Sequence, residues 1–242
     1  MGIKIALAGN PNCGKTTMFN ALTGANQYVG NWPGVTVEKK EGKLKGKRKN
    51  DNIVVTDLPG IYSLSPYTLE EVVSRDYILN DNPDVIIDLV DATNIERNLY
   101  LTTQLIETGV PVVIALNMTD LLEKRGIKID TKRLSMLLDC PIVETSALKQ
   151  TGLDALVETA IKVANKKEVD LPREIFSKEM EAAVADVKGV LPDTISEDKK
   201  RWYAVKFLEN DSKVVESMNL SAAAKACLLY TSPSPRDRSL SR

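Results

Sequence analysis

Histidine is absent from the 242 residues, which removes histidine metal ligands, histidine general bases and histidine pH switches together. Cysteine is scarce. Cys13, Cys140 and Cys227 are widely separated and odd in number, form no CxxC pair, and suit a reducing cytosol rather than a disulfide framework. No stretch of about 18 consecutive apolar residues occurs, so no segment is suited to cross a membrane. The amino terminus runs straight into a strand-like segment and carries no signal-peptide pattern. Neither sign of charge dominates: 32 basic residues face 33 acidic ones, for a net charge of -1. That balance supplies no global field to hold a polyanion, and no nucleic-acid partner is expected. What the chain does have is 43% hydrophobic residues, enough for one α/β core and a small appendage.

Ile3 to Ala8 is a short apolar run closed by Gly9, with the pattern of a buried parallel strand. A helix is expected from Thr16 to Leu22. Val35 to Leu44 and Asn52 to Thr56 are strand candidates joined by a basic turn, Lys45 to Lys49. Val85 to Val90, Val112 to Leu116 and Pro141 to Val143 are further strands. The segments Ile95 to Thr108, Thr119 to Lys124 and Leu153 to Asn165 are helical. Strands alternating with helices imply an α/β fold with a mostly parallel sheet flanked by helices. Beyond the charged segment Lys166-Lys167-Glu168 the strands stop. Glu174 to Lys188 and Glu197 to Glu209, separated by Pro192, are expected helices, with a shorter one from Asp211 to Ser217. Trp202 and Phe207 are expected to be core or docking residues. The expected organisation is a nucleotide-binding domain over 1–165, a small all-α subdomain over 166–222 and a tail over 223–242. That tail, rich in Ser, Pro and Arg and without periodicity, resembles translated cloning sequence more than evolved protein.

Gly9-Asn10-Pro11-Asn12-Cys13-Gly14-Lys15-Thr16 matches GxxxxGK[ST] between a strand and a helix. Backbone N–H groups of such a loop point inward and cradle phosphate oxygens. Lys15 would neutralise the β- and γ-phosphates, the Thr16 hydroxyl would ligate Mg2+ and Thr17 would donate to the α-phosphate. Cys13 is read as a small tolerated side chain rather than a redox handle. Asp57-Leu58-Pro59-Gly60 closes the next strand, where Asp57 would hold Mg2+ through water and Gly60 would sense the γ-phosphate through its N–H. Asn117-Met118-Thr119-Asp120 is an NxxD guanine-reading motif, with Met118 in place of the usual lysine. Asp120 would accept from guanine N1–H and the exocyclic amine, a donor pair adenine lacks. Thr145-Ser146-Ala147-Leu148 matches a further guanine motif, whose Ala147 N–H would read O6. The ordered set specifies GTP and GDP over adenine nucleotides and identifies a P-loop GTPase fold.

These residues resemble the translation-factor-related class of small GTPases. Together with Val29-Gly30-Asn31-Trp32-Pro33-Gly34-Val35-Thr36-Val37-Glu38, they resemble the ferrous iron transport protein B family (FeoB) over its amino-terminal cytosolic region, about residues 1 to 220. The resemblance implies that Gly34, Val35 and Thr36 form the first switch, with Thr36 ligating Mg2+. It also implies that Asn12 and the backbone carbonyls of Gly30 and Trp32 hold K+, which would stand in for an arginine finger. Asn12, Lys15, Thr36 and Gly60 are thus the expected catalytic set. The resemblance further implies a membrane-channel domain outside this chain and a place at the cytoplasmic face of the bacterial inner membrane. Small cytosolic partners of the iron transport system are implied too, and a homo-oligomer is allowed. The expected role is a slow GTPase switch that regulates Fe(II) uptake.

One departure matters. Ile61 follows Gly60, where many GTPases place the glutamine that orients the attacking water. An aliphatic chain cannot do this, so hydrolysis is expected to be slow. The alternative reading is a GTPase assisting ribosome or tRNA maturation, but residues 166 to 220 show no clear basic or aromatic RNA surface. A scaffold locked on GDP is a third. Lys39, Lys40, Lys43, Lys45 and Lys47 to Lys49 are read as solvated charges on an edge hairpin. Glu70, Glu71, Glu96 and Glu107 lack metal-ligand spacing and are read as solvated helix faces.

Overall fold

The computed structural model describes residues 2–24, 27–45, 52–65, 67–166, 176–209, 211 and 214. They fall into two compact units, one drawn from Met1–Ile106 and Val110–Asp170, the other from Glu107–Gly109 and the residues from Leu171 onward.

The first unit is built on β1 (Ile3–Gly9), β2 (Gln27–Asn31), β3 (Glu38–Lys43), β4 (Ile53–Asp57), β5 (Val85–Asp91), β6 (Val112–Asn117) and β7 (Ile142–Glu144), in the spatial order β2-β3-β4-β1-β5-β6-β7. From β4 through β7 the neighbours are parallel, whereas β2–β3 and β3–β4 pair antiparallel. The central strands are apolar on both faces because both are covered. On one face Ile5, Leu7, Val55, Ile87 and Val113 meet Met18, Phe19 and Leu22 of α1 (Lys15–Thr23) and Leu156 and Ala160 of α6 (Leu153–Asn165). On the other, Ala6, Ala8, Ile86, Val90 and Ile114 meet Val73 of α2 (Leu69–Asp76) and Leu101 and Leu105 of α3 (Ile95–Glu107). Each fully buried Leu, Ile or Phe contributes about 1.5–3 kcal/mol, so these two layers dominate the stability of the unit.

Helices α4 (Thr119–Lys124) and α5 (Thr131–Leu138) complete this unit. Helix α2 opens on a capping box, in which Thr68 accepts the Glu71 N–H while Glu71 accepts the Thr68 N–H. It runs into a π-helical segment, Tyr77–Asp81, which buries Tyr77 and lets its hydroxyl donate to Thr56 Oγ1 at 3.0 Å.

Several expectations change. The strand expected over Val35 to Leu44 begins only at Glu38, and the preceding residues form a turn back to β2. Because β2 is the outer strand, β3 is not an edge. Its lysines pair along the strand, Lys39 with Glu41 at 2.9 Å and Lys40 with Glu38 at 3.2 Å. Residues 46 to 51, which hold most of the basic turn, lie outside the described residues. Glu71 and Glu107 are buried rather than solvated. Glu71 closes the cap and accepts the Ser63 hydroxyl, and Glu107 accepts from Arg201 at 3.0 Å.

In the second unit, α7 (Lys178–Val190) and α8 (Glu197–Leu208) pack together, burying Val184, Val187, Leu191, Trp202, Val205 and Phe207. The first expected helix therefore starts four residues later than Glu174, where Ser177 caps it by accepting the Met180 N–H. Arg201 makes a paired bond to Glu181, at 2.7 and 2.9 Å. The short helix expected from Asp211, and the tail from 223, lie almost wholly outside the described residues.

Candidate functional site

The carboxyl ends of β1, β4, β6 and β7 converge on one rim, and the loops that leave them carry the motifs. The loop after β1 turns sharply: Gly9 has φ 151°, Asn12 φ 67° and Gly14 φ 91°. A Cβ on Gly14 would lie 2.6 Å from Asn117 Nδ2, so glycine there permits the close approach of the two loops. Helix α1 then starts at Lys15 without a side-chain cap, leaving its first N–H groups for an anion. Thr16 and Thr17 are exposed in that first turn.

Asn117 ties three of these loops. Its Nδ2 donates to the Cys13 carbonyl at 2.8 Å, and its Oδ1 accepts the Ala147 N–H at 3.0 Å. Thr119 adds a hydroxyl bond to the Thr145 carbonyl at 3.2 Å. Met118 holds a left-handed backbone, φ 63°, that turns the chain into α4 and presents Asp120 in its first turn. Ser146 and Ala147 are buried, whereas Leu148 is 83% exposed. Asp120 meets a partner that motif spacing does not reveal: Lys149 Nζ stands 3.2 Å from Asp120 Oδ2. Partial burial pushes the Asp120 carboxyl up, but hydrogen bonds from Lys149 and Ser146 outweigh it and hold the group below the ordinary aspartate range.

Lys15 and Asp57 form a tight ion pair, Nζ to Oδ1 at 2.6 Å. Burial pushes the Asp57 carboxyl up and the neighbouring ammonium opposes it. The strand-end Asp57 carboxylate, which already faces a cation, and the exposed Thr16 hydroxyl are the kind of hard oxygen donors that Mg2+ favours. Gly60 lies against the first loop, where an added Cβ would sit 3.3 Å from Pro11 Cα. The Ile61 N–H donates to the Gly9 carbonyl at 3.3 Å, closing this segment over the loop. Helix α3 anchors the residues beyond Ile61: Gln104 Oε1 accepts the Leu64 N–H at 2.6 Å, and the Arg97 guanidinium stacks 4.1 Å from the Tyr62 ring centre. Burial, reinforced by Asp88, pushes the Cys13 thiol up to about 12, so it stays protonated and is a poor nucleophile.

The expected first-switch residues are arranged differently from the rest. Gly30 is in the β2–β3 ladder opposite Lys39. Trp32 is buried, and its carbonyl accepts the Val35 N–H at 3.3 Å. Gly34, with φ 77°, has open space around it. Thr36 is exposed on the turn, and among the described residues no hydrogen bond joins it to Lys15, Thr16 or Asp57. The loop Gly9–Thr17, the segment Asp57–Gly60, Asn117–Asp120 and Ser146–Ala147 thus come together, while Gly30, Trp32 and Thr36 stand in a separate hairpin.

Comparison with known proteins agrees with this geometry. Residues 3–160 match the family model described as Ferrous iron transport protein B, and residues 176–229 match the FeoB cytosolic helical domain. The chain is 41% identical over 213 residues to the Fe(2+) transporter FeoB of Shigella flexneri, covering 86% of this chain and 27% of that protein. It is 43% identical over 218 residues, with the same coverage, to the Fe(2+) transporter FeoB of Salmonella choleraesuis. The chain therefore spans 27% of the length of these curated relatives. Among solved structures, mGMPPNP-bound NFeoB from S. thermophilus is 50% identical with TM-score 0.83, covering 94% of this chain and 85% of that one. An mGDP-bound mutant of the same protein is 49% identical with TM-score 0.91, covering 96% and 88%. The chain belongs to the ferrous iron transport protein B family and carries its amino-terminal G domain and its cytosolic helical domain.

Proposed function

We propose that this chain binds GTP and GDP, hydrolyses GTP slowly, and serves as the cytosolic switch of a ferrous iron transporter whose membrane-channel domain lies outside it. The observation that carries the reading is the Asn117 amide, which holds the Cys13 carbonyl and the Ala147 N–H at once. That pair of hydrogen bonds sets the phosphate loop and the base-reading loops at a fixed separation, with Asp120 beside them.

In this reading Gly9 to Thr17 wrap the phosphates through backbone N–H groups, and Lys15 leaves Asp57 for the β- and γ-phosphates. Thr16 and Thr36, with Asp57 through water, would hold Mg2+, which when bound would neutralise phosphate charge. Asp120 exchanges Lys149 for the guanine N1–H and exocyclic amine, and the Ala147 N–H reads O6. K+ would be held by Asn12 and the carbonyls of Gly30 and Trp32. Both carbonyls belong to the folded hairpin here, so that site assembles only when the hairpin remodels. Ile61 is buried and orients no water, which leaves backbone groups and the monovalent cation to stabilise charge at the γ-phosphate. The γ-phosphate orders the two switch segments and hydrolysis releases them. In the full-length protein this module would lie at the cytoplasmic face of the bacterial inner membrane.

Hydrolysis of GTP by the purified chain, measured in matched K+ and Na+ buffers with Asn12→Ala alongside, tests the reading. Faster turnover in K+, lost in Asn12→Ala while GTP still binds, is expected. Equal rates in the two salts would remove the K+ role, and failure to bind guanine nucleotides would remove the whole reading.

A further inference from the structure

Trp32 opens the turn between β2 and β3, yet its indole is only 7% exposed. It meets Tyr77 edge-on at 5.2 Å between ring centres, and the Lys39 ammonium lies 4.8 Å from its ring centre. The same buried cluster holds Leu58, Ile61 and Leu64, which flank Gly60 in the second switch. One side chain of the first switch thus belongs to the buried cluster that also holds residues of the second. The backbone of Trp32 is engaged as well: its N–H donates to the Val37 carbonyl at 2.9 Å, and its carbonyl accepts from Val35. Val35 and Val37 pack on the same cluster. Tyr77 is steadied from behind by its bond to Thr56.

The fit is opposed by one group. The indole Nε1–H is buried with no acceptor among the described residues, although a buried tryptophan usually finds one. Apolar packing and ring contacts hold the indole in place, and the unpaired donor works against them. The unpaired donor lowers the net gain from holding the indole, so that releasing it costs less than the apolar packing alone would require.

We propose that Trp32 is the residue that sets discrimination between GTP and GDP, by latching the first switch to the second. The proposal rests on the GTPase reading. While the indole is buried, Gly30 stays in the β-ladder, the Trp32 carbonyl stays bonded to Val35, and Thr36 stays on the exposed turn. A ligand that ends at the β-phosphate makes no demand on these groups and leaves the latch shut. A γ-phosphate recruits them and must release the indole first. The free energy of holding Trp32 therefore opposes GTP binding and leaves GDP binding alone.

The test compares the affinities of mant-GDP and mant-GMPPNP, with Mg2+ and K+ present, for the unsubstituted chain, Trp32→Ala and Trp32→Phe. Trp32→Ala is expected to raise GMPPNP affinity about tenfold and to change GDP affinity less than about twofold. Trp32→Phe, which still fills the cluster, stays near the parent. In parallel, 5-fluorotryptophan labelling gives two 19F resonances, one from Trp32 and one from Trp202, assigned through Trp32→Phe. GMPPNP is expected to shift the Trp32 resonance and expose it to solvent, whereas GDP leaves it in place. An unchanged affinity ratio in a Trp32→Ala chain with parental circular dichroism overturns the latch, and so does equal weakening of both nucleotides. If Trp32→Ala does not fold, a Trp32 resonance indifferent to the γ-phosphate in the unsubstituted chain overturns it. A parent that binds neither nucleotide removes the GTPase reading and the latch together, whereas a parent that binds both isolates the latch.

Discussion

Asn117→Ala is the sharpest test of how the site is held together. The substitution takes one partner each from the Cys13 carbonyl and the Ala147 N–H. Cys13, Asn117 and Ala147 are 1%, 2% and 4% exposed, so water cannot readily replace the amide. A buried polar group left unpaired costs about 1–3 kcal/mol, which puts the pair at about 2–6 kcal/mol before the loops relax. Allowing for relaxation, about 3 kcal/mol is expected. For a domain of this size that corresponds to a melting temperature lower by roughly 6–12 °C. Thermal unfolding followed by circular dichroism without nucleotide reads the effect directly. Asn117→Asp separates the two bonds, because its carboxylate still accepts from Ala147 but faces the Cys13 carbonyl with a charge and no donor. That variant should be unstable at neutral pH and recover on acidification, as a protonated carboxyl regains a donor. A loss below about 0.5 kcal/mol in Asn117→Ala, the range of an ordinary surface change, would mean that the amide does not hold these loops together. So would an Asn117→Asp chain with parental stability at neutral pH.

Two further perturbations address charge. Burial pushes the Asp88 carboxyl up to about 7 against the opposing hydrogen bond from the Thr102 hydroxyl at 2.6 Å. Its folded value thus lies above its unfolded one. The stability this group contributes is fully present below about pH 4 and lost as pH rises through about 7, a change on the order of 4 kcal/mol. Asp88→Asn keeps the acceptor and removes the titration, so denaturant unfolding of the variant should vary less between about pH 5 and pH 8 than that of the parent, and equal slopes would count against the assignment. Lys149→Met removes the ammonium from Asp120, and GDP and GMPPNP affinity should rise together by about two- to five-fold, fading at high salt. A change confined to one nucleotide would place Lys149 elsewhere than on the base-reading carboxylate.

The parallel centre of the sheet was legible because strands buried on both faces are written as nearly continuous apolar runs, as in β1, β5 and β6, with Lys4 and Asp88 as the interruptions. β2 was not. Its sequence Gln27-Tyr28-Val29-Gly30-Asn31 has no apolar face to bury, and it is a strand only because β3 lies beside it. α2 carries its signature in the cap, Thr68 followed by Glu71, rather than in an apolar stripe, and a reading built on apolar runs passes over it. α5 is only eight residues long and buries none of them fully, which leaves a short pattern to detect. Glu71 and Glu107 show the complementary failure. A carboxylate on a helix reads as solvated until its partners are known, and the arginine that pairs with Glu107 lies 94 residues away.

The site was legible to a different degree. Its motifs are short loops at strand ends whose chemistry is carried by the backbone, so order and spacing suffice to find them. The partners that occupy those groups in this arrangement cannot be found by spacing. Lys15 sits on Asp57, Lys149 on Asp120, and the hairpin carbonyls on their own turn. Ile61 shows why this matters. As a sequence feature it is the loss of a water-orienting glutamine. In the structure it is 2% exposed and packs in the cluster that receives Trp32. A glutamine at that position would bury an amide against apolar side chains, at a cost of about 1–3 kcal/mol unless it found partners. On the proposed latch, the position would help join the two switches rather than hold water. The slow hydrolysis expected from Ile61 and the GTP discrimination proposed for Trp32 would then both trace to the same buried cluster.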